Sequence, residues 1–242
     1  MRINKTSFTS SKAAPGPQNV NQDHAFTVLV VAATAQFVKG STSKSLLEIN
    51  GELLLDRQIR IISEKWPGVE ILVLVGYQAK QIMGLSKSHV RFIEIENYAN
   101  NSLLKNIGMG LRACLTESVL ICVGNLVVNK DIFDIPLDKN CVVIDTQKRL
   151  SKDYVGITYN KSANIFSYGL PSKWANIAYL TGKTLEAFKE LAWGEKANLQ
   201  LVHEAFNELL DNNHKIDVVE PQTMKLVIVE TNDDVNKARA IW

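Results

Sequence analysis

The chain has 242 residues, with 27 Lys and Arg against 25 Asp and Glu, a formal net charge of +2, and 46% hydrophobic and 21% charged residues. This composition excludes an intrinsically disordered chain, and the near balance of charge leaves no strong electrostatic attraction to a nucleic-acid backbone or an anionic membrane. The length suits one α/β sheet with helices on both faces.

Residues 1–23 are rich in Ser, Asn, Gln, Pro and Gly, include Pro15-Gly16-Pro17, and carry neither helical nor strand periodicity. They read as a flexible arm, either an inert extension or a tether to a protein partner, and residues 24–242 as one folded domain. The first apolar run, 26–35, is too short to span a bilayer and too far from Met1 for a signal peptide, which makes an intracellular, cytoplasmic protein the default.

From Phe26 onward, short apolar runs alternate with helical stretches, the rhythm of buried parallel strands joined by crossover helices. The pattern predicts strands over 26–33, 70–75, 90–94 and 118–123. It predicts helices over 54–65, 78–83 and 101–114, the last with Ser102 near its start. Residues 141–145, 154–159 and 165–168 are β-rich pieces around polar turns, so the second half of the sheet is expected to be more antiparallel. Helical spacing returns over 184–191 and 199–212. A final strand over 226–230 leads into a helix over 233–242, with Thr231 as its N-cap and acidic residues in its first turn.

In an open α/β sheet, ligands gather beyond the carboxyl ends of the strands. The loop after the first strand is rich in small and hydroxyl residues, and it offers backbone amides and the Lys44 ammonium to an anion such as phosphate. The plainer alternative for Lys44 is a solvated loop lysine. Cys114, Cys122 and Cys141 share no metal-ligand spacing and read as reduced core thiols. His24, His89, His203 and His214 are scattered and read as surface residues. Asp131, Asp134 and Asp138 are interleaved with Ile132, Phe133, Ile135 and Pro136, a pattern that favours a turn over a set of metal ligands. Trp174, Tyr179 and Trp193 are read as core packing in preference to ligand stacking. No basic patch with interleaved aromatics points to nucleic acid.

The order of the motifs resembles the sugar-phosphate and molybdenum-cofactor type nucleotidyltransferases of the GT-A-like fold. That family opens with a strand and a loop of the form Leu-Ala-Ala-Gly-x-Gly-x-Arg, then a Lys-x-Leu-Leu segment, an Asn-Gly turn and a helix. This chain has Val31-Ala32-Ala33, Lys44-Ser45-Leu46-Leu47, Asn50-Gly51 and Leu54-Leu55-Asp56-Arg57-Gln58-Ile59 in the same order. Val75-Gly76-Tyr77 is similar to its Val-x-Gly-Tyr, and Asn97-Tyr98 with Asn100-Asn101-Ser102-Leu103 to its Asn-x-x-Ser-Leu helix start. Glu230-Thr231-Asn232-Asp233-Asp234-Val235, with Ala238 beyond, is similar to its Asp-Thr-x-Glu-Asp-Leu stretch.

The resemblance covers most of the chain after the arm and implies a Rossmann-like, GT-A-type mixed sheet flanked by helices. It implies an NTP held by Ala33, Thr34, Ala35, Lys44, Gly76, Asn101, Ser102 and Gly124, and a phosphorylated sugar or alcohol as acceptor. It also implies a catalytic set of Lys44, Asn125 and Glu230, with Mg²⁺ on Asn125 and Glu230.

The departures from the family pattern are as informative. Thr34 and Gln36 stand where the family has glycines that let the backbone approach the triphosphate. The family's arginine falls on Val38, or on Lys39 if the loop has slipped. The Gly-Asp pair after the fourth strand is Gly124-Asn125, and a neutral amide is a poor ligand for a hard cation. The expectation is a catalytically degenerate nucleotidyltransferase-like protein serving as a binding or structural component of an assembly. The alternative is an active NTP-dependent nucleotidyltransferase, for example a cytidylyltransferase.

Overall fold

The computed structural model describes residues 26–33, 37–38, 42–86, 88, 90–146 and 152–241, with the backbone alone at residues 37, 38 and 42. The arm expected over residues 1–23, the loop residues Thr34, Ala35, Gln36 and Lys39, and His24 and His89 lie outside the described residues, as does the side chain of Val38.

In chain order the elements begin with strand β1 (Thr27–Ala32), the short strands β2 (Phe37–Val38) and β3 (Thr42–Ser43), and a 3-10 turn over Lys44–Leu46. The hairpin β4 (Glu48–Ile49) and β5 (Glu52–Leu53) and helix α1 (Leu54–Lys65) follow. Next come β6 (Glu70–Val75), α2 (Ala79–Leu85), β7 (Arg91–Glu94), α3 (Leu103–Leu111), β8 (Ser118–Val123) and β9 (Leu126–Val128). The second half contains β10 (Cys141–Asp145), β11 (Val155–Asn160), β12 (Ser162–Tyr168), β13 (Ser172–Thr181), α4 (Gly182–Trp193) and α5 (Val202–Asp211). It ends with β14 (Asp217–Val219), β15 (Leu226–Ile228) and α6 (Asn232–Ile241).

Every residue of β1 is buried, as a central parallel strand requires. Because side chains alternate across a strand, Val28, Val30 and Ala32 pack on one face with Leu55, Ile59 and Ile62 of α1, while Leu29, Val31 and Ala33 pack on the other with Leu104, Ile107 and Leu111 of α3. The hairpin between β4 and β5 turns on Asn50 and Gly51, both at positive φ (49° and 84°), the conformation that Asn-Gly adopts most readily in a two-residue loop.

Nine strands form one sheet in the order β10-β14-β12-β11-β13-β8-β1-β6-β7. β1 is parallel to β6 and β8, and β6 to β7, while β13 is antiparallel to β8. The expected mixed sheet with a more antiparallel second half is present. β10 pairs with both β13 and β14, so β10, β14, β12, β11 and β13 close into a ring.

The structure corrects the sequence reading at several points. No strand is expected over 172–181, yet β13 is the ten-residue strand that joins the parallel half to the ring. Buried Lys173 and the polar Asn176 interrupt the apolar pattern there. Helix α3 begins at Leu103 and not at 101, because Ser102 is its cap: the Ser102 hydroxyl accepts the Lys105 N–H at 3.0 Å. His203, read as a surface residue, is buried on α5 with its ring against Tyr168, and burial lowers its pKa. The three cysteines are free and buried, and burial pushes each thiol up to about 12. Among the described residues, no helix is long and apolar enough to cross a membrane.

Candidate functional site

The chain runs outward from β1 to β6 and β7, then returns to the other side of β1 as β8. A crevice opens between the carboxyl ends of β1 and β8 at this reversal. A cavity of about 130 Å³ lies there, lined by Ala32 and Gly124 from the strand ends, Lys44 from the 3-10 turn, Asn125, Glu230 and Asn176. Gly124 is required at its position, because a Cβ there would lie 2.8 Å from that of Ala32.

Three residues far apart in sequence converge on the cavity wall. β9 and β15 form an antiparallel ribbon just beyond the sheet, which brings the segment after Ile228 alongside Asn125. The Asn125 carbonyl accepts the Val229 N–H at 2.9 Å, and its side-chain Nδ2 donates to the Val229 carbonyl at 3.1 Å and to Glu230 Oε1 at 2.8 Å. The Lys44 ammonium is buried and pairs with Glu230 Oε2. The turn that carries Lys44 is tied down when the Ser43 N–H donates to Gln78 Oε1 at 2.7 Å. Gln78 itself sits at φ 55°, a left-handed conformation.

This donor set does not fit a divalent cation. A hard cation seeks several uncommitted anionic oxygens. Among the described wall residues Glu230 is the one carboxylate; it pairs with the Lys44 ammonium and accepts from the Asn125 amide, and the neighbouring ammonium repels a cation. Asp131 does not line the cavity, and it accepts hydrogen bonds from Asn129 and Thr223 on the turn over Lys130–Phe133. Among the described residues, no three His, Cys, Asp or Glu side chains converge as a metal site would require.

The other residues named from the sequence are placed as follows. Ala33 directly follows β1 and is buried, and Gly76 packs against it: a Cβ at Gly76 would come within 2.7 Å of the Ala33 carbonyl and 2.5 Å of the Tyr98 ring. Asn101 and Ser102 do not line the cavity, although the next residue, Leu103, does. The Asn101 amide donates to Asn106 at 3.1 Å, and the Ser102 N–H donates to Asn198. Trp174 and Tyr179 are buried, whereas Trp193 lies at the surface with Lys105 Nζ and Arg112 Cζ about 4 Å from its ring. Sequence reasoning missed Ser43, Ser45, Leu103 and Asn176 as wall residues. The hydroxyl-rich loop around Lys44 carried the signal for Ser43 and Ser45 and the Ser-Leu helix start that for Leu103, while Asn176 had none.

No family model matches the chain, and no curated protein matches it. Solved structures do share its fold. The CTP:phosphocholine cytidylyltransferase of Streptococcus pneumoniae aligns with a TM-score of 0.69 at 16% identity, over 89% of this chain and 98% of that one. The inositol-1-phosphate CTP transferase of T. maritima aligns at 0.71 with 10% identity, over 88% and 94%. A putative glucose-1-phosphate thymidylyltransferase from Bacillus anthracis aligns at 0.74 with 12% identity, over 89% and 94%. At such identities the likeness is one of fold, and the chain has the mixed α/β fold of the sugar-phosphate nucleotidyltransferases.

Proposed function

We propose that this nucleotidyltransferase-like protein does not carry out magnesium-dependent nucleotidyl transfer and uses its crevice for binding, as a component of an assembly. The observation that carries the proposal is the Lys44–Glu230–Asn125 cluster. Nucleotidyl transfer asks the protein for positioning and for positive charge at the phosphorus. The described wall of the crevice supplies one cation, and that cation is already neutralised by the carboxylate beside it. The replacement of the family's loop glycines by Thr34 and Gln36 points the same way.

The full-length protein is expected to release no pyrophosphate from ATP, CTP, GTP or UTP with Mg²⁺ and a panel of phosphorylated sugars and alcohols. Its melting temperature is expected to show no magnesium-dependent rise with any of the four. Pyrophosphate release that disappears in Glu230→Ala would overturn the proposal in favour of an active enzyme. The role in an assembly, with residues 1–23 as the tether, predicts a co-purifying protein that is lost when those residues are deleted. Association that survives the deletion argues against a tether.

A further inference from the structure

We infer that the crevice is the outer half of a two-chambered site for a small, electrically neutral amphipathic molecule. Its hydrogen-bonding group meets Asn176 and Asn125, and a branched alkyl group of three or four carbons fills an apolar chamber behind them. The inference rests on the binding role proposed above. A second cavity of about 40 Å³ adjoins the first, and Val31, Leu103, Val123 and Asn176 line both. Its other walls are apolar or aromatic, among them Trp174, Phe188, Val202 and Phe206. The Trp174 indole N–H is spent on the Ile177 carbonyl at 3.1 Å, which leaves Asn176 as the polar residue lining the chamber.

Asn176 stands where the two chambers meet. It lies within β13 at φ 56°, opposite the point where the register with β10 shifts between Val142 and Ile144, a bulge of the kind that re-aims a side chain. The hydrogen bonds among the described residues leave its side-chain amide unpaired at the junction of the two chambers. A primary amide offers both a donor and an acceptor there.

Charge and size narrow the ligand class. Lys44 and Glu230 are the ionisable side chains among the described wall residues, and they offset each other. An ion entering the inner chamber would lose its hydration and find no counter-charge. The inner volume holds roughly three water-sized occupants, enough for a branched alkyl group and too little for a nucleobase.

The test titrates the full chain by NMR with isovaleramide, acetamide and isovalerate. Each buried carbon contributes about fourfold in affinity, so the three extra carbons of isovaleramide set an upper bound of about sixtyfold over acetamide. We expect at least about tenfold, with isovaleramide also binding more tightly than the charged isovalerate. The Trp174 indole signal, assigned with Trp174→Phe, should shift with isovaleramide. Val202→Phe, which fills the chamber, should reduce isovaleramide to the level of acetamide, and Ala178→Val serves the same purpose if that variant does not fold. Equal affinities for the two amides, an unmoved Trp174 signal or no binding at all would overturn the inference. None of these outcomes bears on pyrophosphate release, so failure here is distinguishable from failure of the inactive-enzyme proposal.

Discussion

Lys44 keeps only 7% of its side chain exposed while Glu230 keeps 46%, so the two members of the ion pair depend on each other unequally. Glu230→Gln leaves an ammonium buried without its counter-charge, whereas Lys44→Met leaves a carboxylate that water can still reach. Removing one partner of a fully buried pair costs about 3–5 kcal/mol, and an exposed pair contributes about 0–1. Between these limits, Glu230→Gln should cost about 1–3 kcal/mol in urea denaturation, and Lys44→Met less than about 1. Equal losses would show that the ammonium finds another partner. Lys44, Asn125 and Glu230 were legible in the sequence because each follows a strand or precedes a helix in a motif of fixed order. Asn176 was not, since its importance lies in a left-handed backbone angle within an unpredicted strand. Asn favours such angles, but neither residue type nor hydrophobic period singles out this one among the chain's asparagines.

Helix α6 shows how a local motif holds the site from a distance. Thr231 caps it as the sequence indicated: the Thr231 hydroxyl accepts the Asp234 N–H at 3.3 Å, and Asp234 Oδ2 accepts the Thr231 N–H at 3.0 Å. The same carboxylate oxygen accepts the N–H of Glu230 at 3.2 Å, so the cap also fixes the backbone of the residue that pairs with Lys44. Burial works to raise the Asp234 pKa, but bonds from the Thr231 hydroxyl, the Glu230 and Thr231 N–H groups and Lys237 outweigh it and hold the carboxyl below its ordinary range. Because the folded value lies below the unfolded one, this stabilisation is present above about pH 4 and is lost as the pH falls through the lower folded value. Thermal melts from pH 7 down to pH 2 should therefore show a shallower acid loss for Asp234→Asn than for the wild type. Thr231→Ala should cost about 1 kcal/mol at neutral pH. Helix caps are legible because they depend on residues three apart. β13 was not, because its course is set by pairing with β8, β10 and β11, strands distant in sequence.

At the scale of the whole molecule, β13 belongs at once to the parallel half and to the ring, and α3 and α4 cross so closely that a Cβ at Gly108 would meet the Ala192 carbonyl at 2.3 Å. With the two halves sharing a strand, residues 24–242 are expected to unfold in one cooperative transition, with near- and far-ultraviolet circular dichroism coinciding. Two separated transitions would argue for two domains. The alternation of apolar runs and helical stretches foretold the sheet. It did not foretell the ring, whose closure joins β10 to β14 across more than seventy residues.

That closure also bears on solubility. Among the described residues, β7 is the outermost strand of the parallel half and pairs on one side alone, while in the ring β12 meets β14 at the single pair Ser162–Asp217 and β11 meets β13 at Gly156 and Ile157. β7 is four residues long and exposed at both ends, with Arg91 held in an ion pair to Glu70. A short margin bearing charge is a poor template for another chain to extend, so edge-to-edge aggregation along β7 is disfavoured.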